Sequence, residues 1–222
     1  TGIEIAPGTR ARAAEALHEV VPADIESDAS MREHLGDRKF DLILFGDVLE
    51  HVPDPLAVLR RVLAHLDEEG HVIVSLPNVA AWPVRVGLLR GDFDYTTSGI
   101  LDDSHLRFFT RSSAVRLVEA AGLDVLRLGA SPMIVRALKD VLVERTGLVP
   151  RDGDPTALAR SLPYKLYQAA VRPLEDRVAR RAPGLFAFQN VIVARRPPRP
   201  RKLRLTIGML TMDEEPSIAK MI

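Results

Sequence analysis

An α/β fold organised around a parallel sheet is what the sequence predicts, and three observations predict it. Phe40-Asp41-Leu42-Ile43-Leu44-Phe45-Gly46 is almost continuously apolar, the pattern of a strand buried on both faces. Short apolar or β-branched runs alternate with helix-like segments in units of the length a parallel crossover requires. Two acids, Glu4 and Asp24, stand where strands should end, and open α/β sheets bind ligands at the carboxyl ends of their strands.

In chain order, Thr1 to Ile5 is the first short strand, and Pro7-Gly8 turns the chain into an Ala-rich helix from Thr9 to Glu19. Val20 to Ile25 is a second brief strand and Phe40 to Gly46 a third. Asp54-Pro55 supplies an N-cap followed by proline at the first helical position. Leu56, Leu59, Val62, Leu63 and Leu66 then recur at helical spacing, and Gly70 is expected to close that helix. His71 to Pro77 is the next strand, Ser112 to Ala121 a helix ended by Gly122, and Leu123 to Leu128 a further strand. From Pro132 to Arg181 the pattern is helical, and Phe186 to Ala194 returns to strand.

The bulk properties exclude several classes. A chain of 222 residues with 46% hydrophobic content can bury one good core and part of a second. Lys+Arg and Asp+Glu both total 30, so no global field draws in nucleic acid or an anionic membrane. There is no cysteine, which removes disulfides and thiolate metal sites and fits a reducing, cytoplasmic setting. No apolar run approaches the roughly 20 residues of a transmembrane helix, and the opening residues do not form a basic-then-apolar leader. The chain opens on Thr1 and stops at Ile222 in what reads as the first turns of a helix. Both ends are therefore expected to be internal to a longer polypeptide.

Gly2-Ile3-Glu4-Ile5, Asp24-Ile25, Phe40-Asp41-Leu42-Ile43 and the run Asp47-Val48-Leu49-Glu50-His51-Val52-Pro53-Asp54-Pro55 together resemble the successive motifs of class I S-adenosylmethionine (SAM)-dependent methyltransferases. The similarity is to the branch that includes the ubiquinone-pathway O-methyltransferases, and it covers residues 1–196. It implies SAM as cofactor and a Rossmann-like sheet of order 3-2-1-4-5-7-6 with strand 7 antiparallel. On that scheme Thr1–Ile5 is strand 2, Val20–Ile25 strand 3, Phe40–Gly46 strand 4, His71–Pro77 strand 5, Leu123–Leu128 strand 6 and Phe186–Ala194 strand 7. Strand 1 and its glycine-rich turn have no counterpart. The expectation is thus a sheet lacking strand 1, with a helical insertion between strands 6 and 7, holding only the adenosine half of the cofactor site. Such a fragment alone is expected to be inactive.

The resemblance also implies roles. Glu4 would accept hydrogen bonds from the ribose hydroxyls, Ile5 would pack on the adenine, Asp24 would accept from its amino group, and Ile25 would line the pocket. Gly46, Asp47 and Val48 would lie beside the methionine end and the methyl acceptor. The plain alternative is that acids at strand ends cap the next turn.

Two segments carry candidate chemistry. Asp47, Glu50 and His51 lie at i, i+3 and i+4, one face of a helical turn, a spacing that can seat a divalent ion with two oxygens and a nitrogen. The alternative is an acid-enriched helix N-terminus with a packed histidine. The second segment, Gly91 to Thr110, is a long aromatic and polar connector. Its Gly99-Ile100-Leu101-Asp102-Asp103-Ser104-His105-Leu106-Arg107-Phe108-Phe109-Thr110 is similar to a stretch in methyltransferases of bacterial surface-glycan and natural-product gene sets. His105 is the candidate general base, with Asp102 or Asp103 orienting it, and His51 is a further catalytic candidate. Thr110 with Ser112 or Ser113 also reads as helix capping. The basic, Tyr-containing stretch with Arg160, Tyr164, Lys165, Tyr167 and Arg172 is either a contact for a phosphate-bearing acceptor or an ordinary solvated face.

Residues 197–202 hold only proline and basic side chains and read as a stiff linker. Beyond it, Leu205 to Glu215 resembles the opening strand and loop of a family-2 glycosyltransferase, with Asp213-Glu214 where that family usually has Asn-Glu. The domain expectation is therefore a methyltransferase-like unit over 1–196, a linker over 197–202, and the beginning of a glycosyltransferase-like domain over 203–222. The function expected of the intact protein is methyl transfer from SAM to a hydroxyl of a sugar, glycan precursor or small metabolite. The alternative is a non-catalytic module supporting a fused glycosyltransferase.

Overall fold

The computed structural model describes residues 1–132, 165 and 167–198. β1 (Gly2–Ile3), α1 (Pro7–Ala16), β2 (Val20–Val21) and α2 (Asp28–Leu35) come first. β3 (Phe40–Gly46), α3 (Pro55–Leu63), β4 (Leu66–Pro77), α4 (Trp82–Arg90), α5 (Arg111–Ala120) and β5 (Asp124–Pro132) follow. After a π-helical turn at Tyr167–Val171 come α6 (Arg172–Arg181), the short α7 (Pro183–Phe186) and β6 (Ala187–Arg195).

The strands form two sheets. β1 pairs parallel with β2, and a four-stranded sheet has the order β3-β4-β6-β5. β3 runs parallel to β4, while β6 is antiparallel to both β4 and β5. One apolar core nevertheless joins the two sheets: Val21, Ala23, Met31 and Leu35 cluster with Phe45, Val62, Val72, Val74 and Ile192. Between β1 and β3 lies an open groove of about 200 Å³, lined by Gly2, Ile3, Ile25, Ile43, Phe45 and Val48 among others. No hydrogen-bonded strand pair bridges it among the described residues.

α3 begins as its cap dictates: Asp54 Oδ1 accepts the Ala57 amide at 3.0 Å and Pro55 opens the helix. It ends sooner than the leucine spacing predicts. The amides of Ala64 and His65 turn back to Arg61 and Val62 at 3.1 and 3.0 Å, and Leu66 already starts β4. Gly70 therefore lies in a strand. A side chain there would stand 2.7 Å from Leu66 Cδ1 and 3.1 Å from the Asp67 carbonyl, so close approach explains the glycine. α5 opens with a reciprocal capping box in which Thr110 Oγ1 accepts the Ser113 amide and Ser113 Oγ accepts the Thr110 amide.

Three further expectations are revised. The first two strands are only two paired residues each. α2 and α4 arise where no helix was expected. β3 is buried on one face only: Phe45 is 4% exposed, but Leu42 and Leu44 are 55% and 66% exposed. Most of the expected helical insertion, with Arg160 and Tyr164, lies outside the described residues, as do residues 199–222 with the glycosyltransferase-like segment. No helix among the described residues is long and apolar enough to cross a membrane.

Candidate active site

The carboxyl ends of β1, β2 and β3 supply the expected cofactor residues. Glu4 follows β1, its amide held by the Val21 carbonyl at 3.1 Å, and its Oε1 accepts the Ala6 amide at 2.8 Å. Asp24 follows β2; its amide donates to Ser30 Oγ at 2.9 Å and its Oδ1 accepts the Glu26 amide at 2.8 Å. One oxygen of each acid thus organises a local turn. Ile5 is 59% exposed. Ile25 and Val48, just past the ends of β2 and β3, line the same groove as Ile3. Glu4 and Ile5 thus follow Ile3 and Asp24 precedes Ile25, and Ile3 and Ile25 both line the groove.

The turn after β3 is a second centre. Gly46 is exposed, and Asp47 is the one non-glycine among the described residues with a left-handed backbone, at φ 54°. Residues 47–53 form turns and bends rather than a helix, so the expected shared helical face does not exist. Asp47 turns toward the sheet, where Gln189 Nε2 donates to both of its carboxylate oxygens at 2.6 Å and Ser75 Oγ lies at 3.4 Å. Glu50 and His51 meet His105. Ligand atoms of Glu50, His51 and His105 all lie within 4.8 Å of one another, a different trio from the Asp47, Glu50 and His51 of the spacing argument.

Glu50 is 1% exposed, and neither carboxylate oxygen has a hydrogen-bond partner. Burial, with a smaller contribution from the charge of Asp47, pushes its pKa up to about 7. The Glu50 carbonyl accepts the amides of Leu106 and Arg107 at 2.8 and 3.0 Å, pinning the 99–109 segment over the turn. His51 is exposed; His105 is buried, with the two ring centroids 4.8 Å apart. Nδ1 of His51 lies 3.2 Å from the Ser104 carbonyl, and Nδ1 of His105 lies 3.2 Å from the Ile100 carbonyl. A carbonyl only accepts, so each Nδ1 carries a proton, and in the neutral ring the lone pair is on Nε2.

Asp102 does not bond His105 directly. Its Oδ1 accepts both the amide and the hydroxyl of Ser104, and Ser104 Oγ lies 3.3 Å from His51 Nδ1. Those two Ser104 bonds, aided by the nearby histidines, hold the Asp102 carboxyl below its ordinary pKa. Ser104 and Gln189 were not singled out in the sequence. The first was legible in principle, as the residue between an acid and a histidine in one turn; the second carries no local signal.

Comparison with known proteins adds the family. Residues 1–128 match the family model described as "Methyltransferase domain". The chain is 29% identical over 87 residues to the ubiquinone biosynthesis O-methyltransferase of Aeromonas salmonicida, covering 39% of this chain and 37% of that protein. It is also 29% identical over 97 residues to the enzyme of the same name from Idiomarina loihiensis, covering 41% and 39% respectively. The chain thus spans under two-fifths of the length of these curated relatives. Among solved structures, a SAM-dependent methyltransferase from Archaeoglobus fulgidus aligns with a TM-score of 0.47 at 16% identity, over 87% of this chain and 74% of that one. With the family model matching more than half of its residues, the chain belongs to the SAM-dependent methyltransferase family.

Proposed function

We propose that the complete natural polypeptide transfers a methyl group from SAM to a hydroxyl of a sugar, glycan precursor or small metabolite. The observation carrying this reading is the pair of Nδ1-anchored imidazoles, His51 and His105, set beside the unpaired carboxylate of Glu50 in the turn that follows β3. When bound, SAM would supply an activated methyl on a sulfonium, which the acceptor oxygen would take in line with S-adenosylhomocysteine as the leaving group.

The chain's own contribution is positioning and proton removal. Glu4 and Asp24 hold the ribose and adenine, with Ile5 and Ile25 against the base, and Gly46, Asp47 and Val48 border the methionine end. His105 takes the hydroxyl proton on Nε2, and the exposed His51 beside it hands that proton to water. Asp102, acting through Ser104, steadies His51. The groove between β1 and β3, with its unpaired strand edge and apolar walls, supports a further parallel strand there, whose following turn would complete the methionine half of the site. The reading of residues 203–222 as the start of a glycosyltransferase-like domain, with a glycan acceptor as its natural companion, rests on sequence resemblance alone.

A second reading of the same centre is favoured by its donor set. A carboxylate oxygen and two imidazole nitrogens within 4.8 Å of one another suit a divalent cation, with Glu50, His51 and His105 as ligands, and such an ion would polarise the acceptor hydroxyl. The test is release of S-adenosylhomocysteine with a panel of hydroxylated acceptors. On the base reading, His105→Ala lowers turnover by about 10²–10⁴-fold, leaves SAM affinity unchanged, and chelators have no effect. Loss of turnover on chelation, restored by a divalent salt, selects the metal reading. Full turnover in His105→Ala removes both.

A further inference from the structure

The turn that carries Glu50 and His51 leaves the sheet through a strained residue, and that residue is held from far along the chain. Asp47 adopts φ 54°, a region open to aspartate but costly for any residue with a Cβ. Its own backbone anchor is weak: its amide reaches the Ser75 carbonyl at 3.4 Å. The side-chain anchor is much tighter. Gln189, on β6 and 142 residues away, places Nε2 2.6 Å from each Asp47 carboxylate oxygen. Gln189 is itself fixed, since its Oε1 accepts the Ser131 hydroxyl of β5 at 3.2 Å. A polar chain thus runs from β5 through β6 to the end of β3, passing across the end of β4, where Pro77 is the register partner of Gln189.

We propose that Gln189 is a positioning residue for the active site. It clamps Asp47 in the left-handed conformation, and this sets the direction in which residues 47–53 leave β3. That direction brings Glu50 and His51 against His105. A charge-assisted bond to a carboxylate is among the stronger single hydrogen bonds available, and here it is shorter than the bond from the Ser75 hydroxyl to the same carboxylate, at 3.4 Å. The proposal rests on the reading of Glu50, His51 and His105 as the reactive centre, but its test needs neither cofactor nor acceptor.

The test is nuclear magnetic resonance of the 222-residue chain with labelled histidines, comparing it with Gln189→Met, which keeps the bulk and removes the amide. In Gln189→Met the ring-to-ring contact between His51 and His105 weakens or vanishes and their ring nitrogen signals move. The buried His65, whose Nδ1 lies 3.1 Å from the Arg38 carbonyl on the other side of the core, should stay unchanged. A merely structural role for Gln189 would disturb His65 as well, or none of the three. Should Gln189→Met fail to fold, Gln189→Asn, which keeps an amide but is one methylene too short to span the gap, is read in the same way. A folded variant in which His51 and His105 keep their contact and their signals overturns the proposal, whatever the fate of the methyl-transfer reading.

Discussion

β3 meets two different surroundings on its two faces, although the side chains of both faces are equally apolar. Ile43 and Phe45 face the side covered by α3 and α5, and Phe45 is 4% exposed in a core with Leu59, Val72, Val74 and Ile192 at 0%. Leu42 and Leu44 point the other way and are 55% and 66% exposed. The strand edge toward β1 has no partner among the described residues. Composition told both faces to bury; only one found something to bury against. The main apolar core therefore lies on the Phe45 side of β3, where α3 and α5 contribute Leu59, Val62, Ala114 and Val118.

The largest expected effect sharpens that contrast directly. Leu59→Ala, in the closed layer, should cost about 3 kcal/mol of unfolding free energy in urea melts. Leu44→Ala removes the same atoms from the open face and should cost less than about 0.5 kcal/mol. Similar losses at both positions would show that the open face is covered in solution.

Glu50 provides the next test, because it sits unpaired inside the closed region. Its folded pKa of about 7 exceeds the ordinary carboxyl value of 4.5, so the folded state prefers the protonated form. The stability this gives is complete below about pH 4.5 and is lost as pH rises through 7. His51, His105 and Asp47 are the titratable groups that face it. Glu50→Gln should accordingly stabilise the protein by about 2 kcal/mol at pH 8 and change little at pH 4.5, read as thermal unfolding at the two pH values. Destabilisation at pH 8 would mean that the carboxylate has a partner in solution, as the metal reading requires.

A smaller effect is expected at the start of α5. Thr110→Ala removes one half of the capping box and should cost about 1 kcal/mol in the same melts. The smallest effect on stability belongs to Leu44→Lys. It should leave unfolding nearly unchanged while reducing self-association in sedimentation, since it places a charge on an exposed apolar strand.

Much of this was legible locally. The run Phe40 to Gly46 forms a strand with those bounds, Asp54-Pro55 starts α3, and Thr110 with Ser113 caps α5. Each signal is read within a few residues. The helix over 28–35 carries little signal although Ser27 caps it and Gly36 ends it, because only Met31 and Leu35 are buried and its apolar periodicity is thin. The end of α3 was misplaced because Leu66 and Gly70 continue a helical spacing while belonging to a strand.

At the site, His51, Asp102 and His105 were singled out by residue type, and the chain brings them together. Their wiring was not legible. Asp102 reaches His51 through Ser104 instead of bonding His105, and Asp47 is bonded by Gln189 while His105 takes its place in the cluster with Glu50 and His51. Both depend on which way a turn leaves its strand, and for Asp47 the deciding partner lies 142 residues away.

The most direct test of the account is isothermal titration of SAM into the complete natural polypeptide and into its Glu4→Ala variant. If the rim at β1, β2 and β3 grips the nucleoside, the natural protein binds and the variant binds at least about tenfold more weakly, the loss expected of a charge-assisted ribose contact. Equal affinity in the two proteins, or no heat of binding in either, would contradict it.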